Sequence, residues 1–215
     1  MTLPAHKNSR PPAPVSPRRA LRILGVDPAL AGTTGFGVIE VSAVSGAPAK
    51  FLHSEPLHFP RKASFATRIR EIHEAVARLV AKFSPDAVAV ESVFTALNAR
   101  TALRLAEVRG VVLLAAAQAS VPAHSYSPRE VKASVAGYGA ASKEQMQHMV
   151  RTLLGMREPP EPADIADALA VALCHAQCTE ARERMARALA PASPPRPVPS
   201  SERTRSRAAS VLHTR

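Results

Sequence analysis

The sequence predicts an α/β domain, and three observations near its start carry this prediction. Residues 23–26 form an apolar run that ends at Asp27, a glycine-studded turn follows, and residues 36–41 resume an apolar segment. This pattern is typical of a strand, a tight turn and an antiparallel return strand. Apolar positions spaced by three and four residues then mark an amphipathic helix over residues 64–83. A helical crossover between this hairpin and the next apolar run, 87–90, makes the two strands parallel.

The remaining elements follow from the same two periodicities. The sequence predicts a third, weaker strand at residues 49–60, a long helix at 98–119, an edge strand at 121–126, and helices at 129–135, 142–154 and 163–177. Ser142 begins its helix with Gln145 three residues on, as in a capping box. The long helix is apolar on several faces, so it either lies at the centre of the core or forms half of a subunit interface.

The formal net charge of +11 suggests a polyanionic partner, but most of this charge lies near the chain ends. Residues 1–22 contain five Lys or Arg and no acid, and residues 179–215 contain eight against three acids. Residues 23–178 contain fifteen against fourteen acids, so a nucleic-acid surface there has to be a local patch. Pro-rich composition predicts disordered basic tails at 1–20 and 179–215, flanking one folded domain at 21–178.

Several classes of protein are disfavoured. No apolar run reaches 18 residues, so no transmembrane helix is expected, and the N-terminus lacks the apolar region of a secretory signal. Cys174 and Cys178 are four residues apart in a predicted helix with no second pair, which favours core packing over a metal site. A cytoplasmic location is expected, since free thiols suit a reducing compartment.

Two carboxylates stand at the ends of neighbouring predicted strands. Asp27 ends the first apolar run, and Glu91 directly follows the run at 87–90. A carboxylate on a buried strand is costly unless a proton, a cation or hydrogen-bond donors compensate it. Asp27 alone is open to two interpretations, a metal or catalytic residue or a strand-end cap to the turn. A second carboxylate at the same edge favours a divalent cation, because such ions bind several oxygens.

Asp164 and Asp167 are three residues apart and project from one side of the first turn of the last helix. Acids at a helix start gain about 0.3–1 kcal/mol from the helix dipole, which explains either aspartate but not why both would join the strand-end carboxylates. Two Mg²⁺ ions about 3.5–4 Å apart fit four such acids and activate water for attack on a phosphodiester. Lys132 and Lys143 are candidates for holding the scissile phosphate, with a solvated lysine as the alternative for each.

Together these segments resemble the RuvC family of Holliday junction resolvases. The segments are ILGVDP with TGFGVIE, AVAVESVF, NARTALRLAEVRGVVLLAA, YSPREVKASVAGYGAASKEQMQHMV and ADIADALAVALCHA, in the family's order and spacing. The resemblance implies a ribonuclease H-like α/β fold with a five-stranded mixed β-sheet flanked by α-helices. It also implies a homodimer that nicks two opposed strands of a four-way DNA junction with Mg²⁺, for which Mn²⁺ can substitute, and a branch-migration motor complex of the RuvA and RuvB type as partner.

The resemblance also carries over individual positions. By position, Asp27, Glu91, Asp164 and Asp167 match the family's four catalytic, metal-binding acids, and Lys132 and Lys143 match its two functional lysines, which also contact DNA. Phe94 matches an aromatic that contacts bases near the junction centre; an anchor for its own loop is the alternative. Arg100 and Arg104 are further candidate DNA contacts on the long helix, which corresponds to an element near the family's dimer interface.

The chain departs from the family pattern beside Asp27. Ala29 stands where the family usually has glycine, and the turn to Gly35 is one residue longer, without the basic residue often present there. A changed strand register or phosphate contact is therefore open at this turn. Ser92 replaces a frequent glutamine, and both tails are longer than the family core needs. No departure removes a carboxylate, so we expect activity to survive.

Three other functions compete with this interpretation. Actin-like sugar kinases and chaperone ATPases begin with a hairpin similar to Asp27 and residues 32–35, but this chain is too short for their two lobes. The small ribosomal-RNA-processing RuvC-like group shares the fold but is not expected to carry the segment VFTALNARTALRLAEVRG. A non-catalytic junction-binding protein would use the carboxylates structurally, and retention of all four acids argues against it.

Overall fold

The computed structural model describes residues 19–29, 32–44, 46–92 and 99–189, and these contain five strands and five helices. In chain order the elements are β1 (Leu21–Asp27), β2 (Thr33–Val41), β3 (Lys50–His58), α1 (Phe65–Phe83), β4 (Ala87–Glu91), α2 (Ala99–Gln118), β5 (Ala123–Tyr126), α3 (Pro128–Ala136), α4 (Lys143–Leu153) and α5 (Ala163–Leu189). The five-stranded mixed sheet flanked by helices confirms the predicted fold class.

The strands form one sheet in the order β3-β2-β1-β4-β5. β2 is antiparallel to both β1 and β3, whereas β1, β4 and β5 run parallel to one another. The ends of β1, β3, β4 and β5 and the start of β2 consequently lie along the same edge. We call this the carboxylate edge, defined by Asp27, Thr33, His58, Glu91 and Tyr126.

Helices cover both faces of the sheet. Alternate strand residues point to opposite faces, and both faces present apolar side chains that the helices bury. Leu24 and Phe36 pack in one core with α1 and α2. Ile23 and Ile39 pack in the other core with α3, α4 and α5. Cys174 is buried in this second core. Within the described residues, no helix combines the length and apolar character needed to span a membrane.

α2 both packs in the core and exposes an apolar surface, the two alternatives that its sequence left open. It buries Val108 and Val112 in the core shared with α1. Its other face leaves the side chains of Leu103 and Leu114 67% and 53% exposed. The helix therefore serves the core with one face and presents an apolar surface with the other.

The largest difference from the predicted elements is the length of α5. The prediction ended the core helix near Gln177, allowed a brief extension into the Arg- and Glu-rich stretch after Cys178, and otherwise assigned residues 179–215 to a disordered tail. The helix in fact continues to Leu189. The added residues 178–189 are rich in Ala, Glu and Arg and contain neither Gly nor Pro, so little interrupts the helix. The predicted tail residues 1–18 and 190–215 lie outside the described part of the chain.

Candidate active site

Parallel pairing of β1 and β4 brings two of the predicted carboxylates together. Val26 pairs with Val90 in register, so Asp27 and Glu91 end adjacent strands at the carboxylate edge. Asp27 and Glu91 interact there: the charge of Glu91 raises the pKa of Asp27, whereas hydrogen bonding from Asp27 acts to lower the pKa of Glu91. The adjoining Ser92 amide donates to the carbonyl oxygen of Tyr126 at 2.7 Å, which ties the end of β4 to β5.

α5 delivers the other two carboxylates by lying unusually close to the sheet. A Cβ added to Gly35 would overlap the carbonyl oxygen of Asp164, and one added to Gly25 would overlap that of Ala168. Both positions therefore require the absence of a side chain, and the first turns of α5 rest directly on β1 and β2. Asp164 and Asp167 are carried on those turns.

Sequence reasoning missed this role of glycine. It assigned Gly35 to the turn after Asp27, whereas Gly35 lies inside β2 together with Gly37. A Cβ on Gly37 would meet the side chain of Leu169 on α5. Glycine inside a strand often marks a place where another backbone approaches closely. The alternating pattern Gly-Phe-Gly could therefore have predicted that a helix packs closely on this strand.

The four carboxylates act as one electrostatic group. Burial, followed by the charges of Glu91, Asp167 and Asp164, raises the pKa of Asp27 to about 8. Burial and the charge of Asp167 also raise the pKa of Glu91, and burial raises that of Asp167 against the opposing charge of Lys143. The structure thus gathers the four acids that the sequence singled out; their catalytic role remains a prediction.

Both predicted lysines lie beside this group. Lys143 is the first residue of α4, where Ser142 caps the helix, and its Nζ lies 3.7 Å from Oδ2 of Asp167. The charge of Lys132, on α3, lowers the pKa of both Glu91 and Asp167. The two lysines therefore approach the acids from two different helices and offset part of their charge.

The predicted DNA contacts are farther out. Arg100 and Arg104 are exposed on the first turns of α2. Arg104 forms an ion pair with Glu107 at 3.2 Å, and its guanidinium carbon lies 4.3 Å from the centroid of the Phe65 ring. Among the described contacts, neither arginine pairs with the four carboxylates. Phe94 lies in residues 93–98, outside the part of the chain that the structure describes.

The unusual turn after Asp27 joins two strands whose pairing is continuous. Pairing runs without a break from Leu21 opposite Val41 to Asp27 opposite Gly35. The amide of Ala29 donates to the hydroxyl of the fully buried Thr34 at 3.2 Å. The backbone at Ala29 is therefore tied to β2 beside the end of β1.

The four carboxylates provide the oxygen ligands that suit a divalent cation. Carboxylate oxygens are the ligands that hard cations such as Mg²⁺ prefer. With its pKa near 8, Asp27 retains a proton at neutral pH, which is how clustered acids relieve repulsion when no cation does so. Within the described residues, no three His, Cys, Asp or Glu side chains already form a metal site.

Known proteins match the chain over this same region. The family described as "Crossover junction endodeoxyribonuclease RuvC" matches residues 23–175. A curated RuvC from Desulforamulus reducens is 44% identical over 157 residues, covering 72% of this chain and 93% of that relative. One from Thermotoga maritima is 42% identical over 163 residues, covering 76% of this chain and 95% of the relative.

Solved structures agree with this assignment. Thermus thermophilus RuvC in complex with a Holliday junction substrate superposes with a TM-score of 0.69 at 38% identity, covering 75% of this chain and 96% of that one. The yeast mitochondrial Holliday junction resolvase Ydc2 shares the fold at a TM-score of 0.53 and 13% identity, covering 79% of this chain and 86% of that one. With the family match and 44% identity to a curated member, the chain belongs to the RuvC family of crossover junction endodeoxyribonucleases.

Proposed function

We propose that this protein is a structure-selective endodeoxyribonuclease that resolves four-way DNA junctions by paired, symmetric nicks during recombination and repair. One observation carries the proposal: Asp27, Glu91, Asp164 and Asp167, the four acids identified by position, interact at one edge of the sheet. Membership of the RuvC family and the likeness to a relative solved with a Holliday junction substrate support the choice of substrate.

The reaction depends on divalent cations held by these four carboxylates, with two Mg²⁺ ions per subunit as the expected occupants and Mn²⁺ as a substitute. Such ions supply an activated water and stabilise the charge that develops on the leaving 3′-oxygen. The protein contributes the arrangement of the acids. Burial first, and then the charges of neighbouring acids, raise the pKa values of Asp27 and Glu91, and a bound cation would favour the ionised form of both.

The two lysines position and neutralise the phosphate. The side chain of Lys143 is 56% exposed and lies 3.7 Å from Asp167, so it reaches both the carboxylates and the solvent side where DNA arrives. Lys132 contributes a second positive charge from α3. Preorganised cations at the site where negative charge develops lower the barrier to phosphodiester hydrolysis.

Paired nicks require two active sites, and α2 offers the surface that joins them. Leu103, Gly110 and Leu114 are separated by seven and four residues, so they share one face of the helix. Both leucines are largely exposed, and a Cβ on Gly110 would meet nothing within 4 Å. A second copy of the chain packing against this face forms the homodimer. The branch-migration motor complex expected as a further partner remains an expectation from the family.

The test is incubation of the purified protein with a synthetic four-way junction, with Mg²⁺ and with EDTA, while each labelled strand is resolved. Symmetric nicks that leave ligatable duplexes only with Mg²⁺ are the expected result. Asp167→Asn is the control, because it removes one ligand charge and is expected to bind the junction without cutting it. Binding by wild type without nicks would instead favour a junction-binding protein, and cleavage of RNA alone would favour the ribosomal-RNA-processing group.

A further inference from the structure

A strongly cationic segment connects β3 to α1. Residues 59–69 contain Arg61, Lys62 and Arg68 and no acid, and the first turn of α1 is also free of acids. This contrasts with residues 23–178 as a whole, where acids and bases nearly balance. We call these three cations the β3–α1 corner. A local concentration of one charge on a nearly neutral domain indicates a surface for a partner of opposite charge.

The corner lies on the carboxylate edge. β3 ends there because His58 pairs with Thr33, and the two side chains are joined by a hydrogen bond of 2.9 Å between Nδ1 and Oγ1. β3 is two strands from β1, and neighbouring strands are about 4.8 Å apart, so the corner begins roughly 10 Å from Asp27. At this distance, one short stretch of nucleic-acid backbone is long enough to reach from the carboxylates to the corner.

The side chains of this surface are partly preorganised. The guanidinium carbon of Arg68 lies 5.3 Å from the centroid of the Phe59 ring, and its Nε donates to the carbonyl oxygen of Ala63 at 3.3 Å. Such a planar group, already stacked on a ring, loses less conformational freedom when it binds a phosphate. Arg61 and Lys62 are exposed and form no hydrogen bond or ion pair with the described residues.

We propose that the β3–α1 corner binds the sugar-phosphate backbone of one duplex arm of the junction and holds it beside the carboxylates. The inference rests on the proposed function, because its occupant is the junction substrate. DNA binding at the corner would also offset an electrostatic repulsion, because four acids at the cleavage site repel the polyanion that they cut. Cations a few nucleotides away supply attraction without neutralising the acids themselves.

The test compares two double variants that each remove two positive charges. Arg61→Gln/Lys62→Gln alters the corner, whereas Lys50→Gln/Lys82→Gln alters exposed lysines at the start of β3 and near the end of α1, at the opposite edge of the sheet. KM and kcat for four-way junction cleavage are measured between about 50 and 200 mM KCl. Unchanged thermal unfolding of both variants establishes that the fold is intact.

We expect the corner variant to raise KM about tenfold with kcat unchanged, and to flatten the dependence of log KM on log salt by about two units, one for each lost phosphate contact. The variant at the opposite edge should behave like wild type. If wild type cuts the junction and the two variants are indistinguishable, the corner is not a DNA surface although the proposed function stands. If wild type cuts no four-way junction, the proposed function fails and this inference fails with it.

Discussion

The proposed catalytic role of Asp27 opposes the stability of the fold. The folded chain raises its pKa to about 8 from an ordinary value of 3.8, first by burial and then through the neighbouring acids. The folded protein therefore holds more protons than the unfolded chain between about pH 4 and 8. Stability from this group is fully present below pH 4 and is lost as the pH rises through 8.

Asp27→Asn should consequently stabilise the protein without divalent cations while abolishing junction cleavage. The expected gain at pH 7.5 in EDTA is on the order of 1–3 kcal/mol, or a Tm increase of roughly 3–10 °C. Adding Mg²⁺ should raise the Tm of wild type more than that of the variant, because a cation relieves the same repulsion. A variant that melts below wild type in EDTA would contradict this account of Asp27.

His175 supplies a second residue-scale prediction. It is only 7% exposed, its Nδ1 lies 2.7 Å from the hydroxyl of Tyr126, and its ring centroid lies 4.5 Å from that of His124. Burial, with the charges of His124 and Arg182, lowers its pKa to about 4 from 6.5. The unfolded chain then binds the extra proton between pH 6.5 and 4, so folding stability falls as the pH drops through this window.

We expect this one group to remove on the order of 3 kcal/mol between pH 7 and pH 4. His175→Phe should flatten the dependence of the free energy of unfolding on pH in that window, whatever its effect on stability at pH 7. His148→Gln is the matched control, because His148 is exposed on α4. An unchanged slope in the His175 variant would show that other groups carry the acid sensitivity.

At the scale of elements, the site depends on how closely α5 lies on the hairpin. Hydrophobic patterning predicted both elements, and the strand-end rule predicted that Asp27 and Glu91 would meet. Neither revealed the distance between helix and sheet. This distance depends on Gly25 and Gly35, which let α5 approach closely because they have no side chain, and hydrophobic patterning does not report a missing side chain. The end of α5 was missed for another reason, since a polar, Arg-rich continuation has helix propensity without apolar periodicity.

Gly35→Ala tests this packing. The added Cβ would overlap the carbonyl oxygen of Asp164, so α5 has to shift away from β2. Overpacking of this kind costs about 1–3 kcal/mol of folding stability. We expect the cleavage rate of the folded variant to fall as well, because Asp164 and Asp167 move with the helix. Cleavage at the wild-type rate, measured well below the Tm of the variant, would show that the carboxylates tolerate the shift.

At the scale of the whole molecule, the two faces of the sheet serve different purposes. α3, α4 and α5 carry both lysines and two of the carboxylates, whereas α1 and α2 flank the other face and α2 presents Leu103 and Leu114 outward. Chemistry and the proposed assembly are thus separated by the sheet. This arrangement allows the dimer to be disrupted without touching the acids.

Leu103→Glu/Leu114→Glu should therefore convert a dimer into a folded monomer, because two charges on this face disfavour its burial. Analytical ultracentrifugation measures the change in mass, and circular dichroism checks the fold. In a junction assay the monomer is expected to nick strands singly, with the two nicks no longer coupled. A double variant that remains dimeric would place the subunit contact elsewhere.

If the four acids are catalytic as proposed, the contact between α5 and the glycines of the hairpin makes cleavage activity sensitive to small changes in tertiary packing. Asp164 and Asp167 stay beside Asp27 only while a helix backbone rests on a bare stretch of strand. A slight loosening that leaves every helix and strand intact separates the acids, and spectroscopy of secondary structure would not detect it. During mild denaturation, DNA cleavage should thus cease before the far-ultraviolet circular dichroism signal changes.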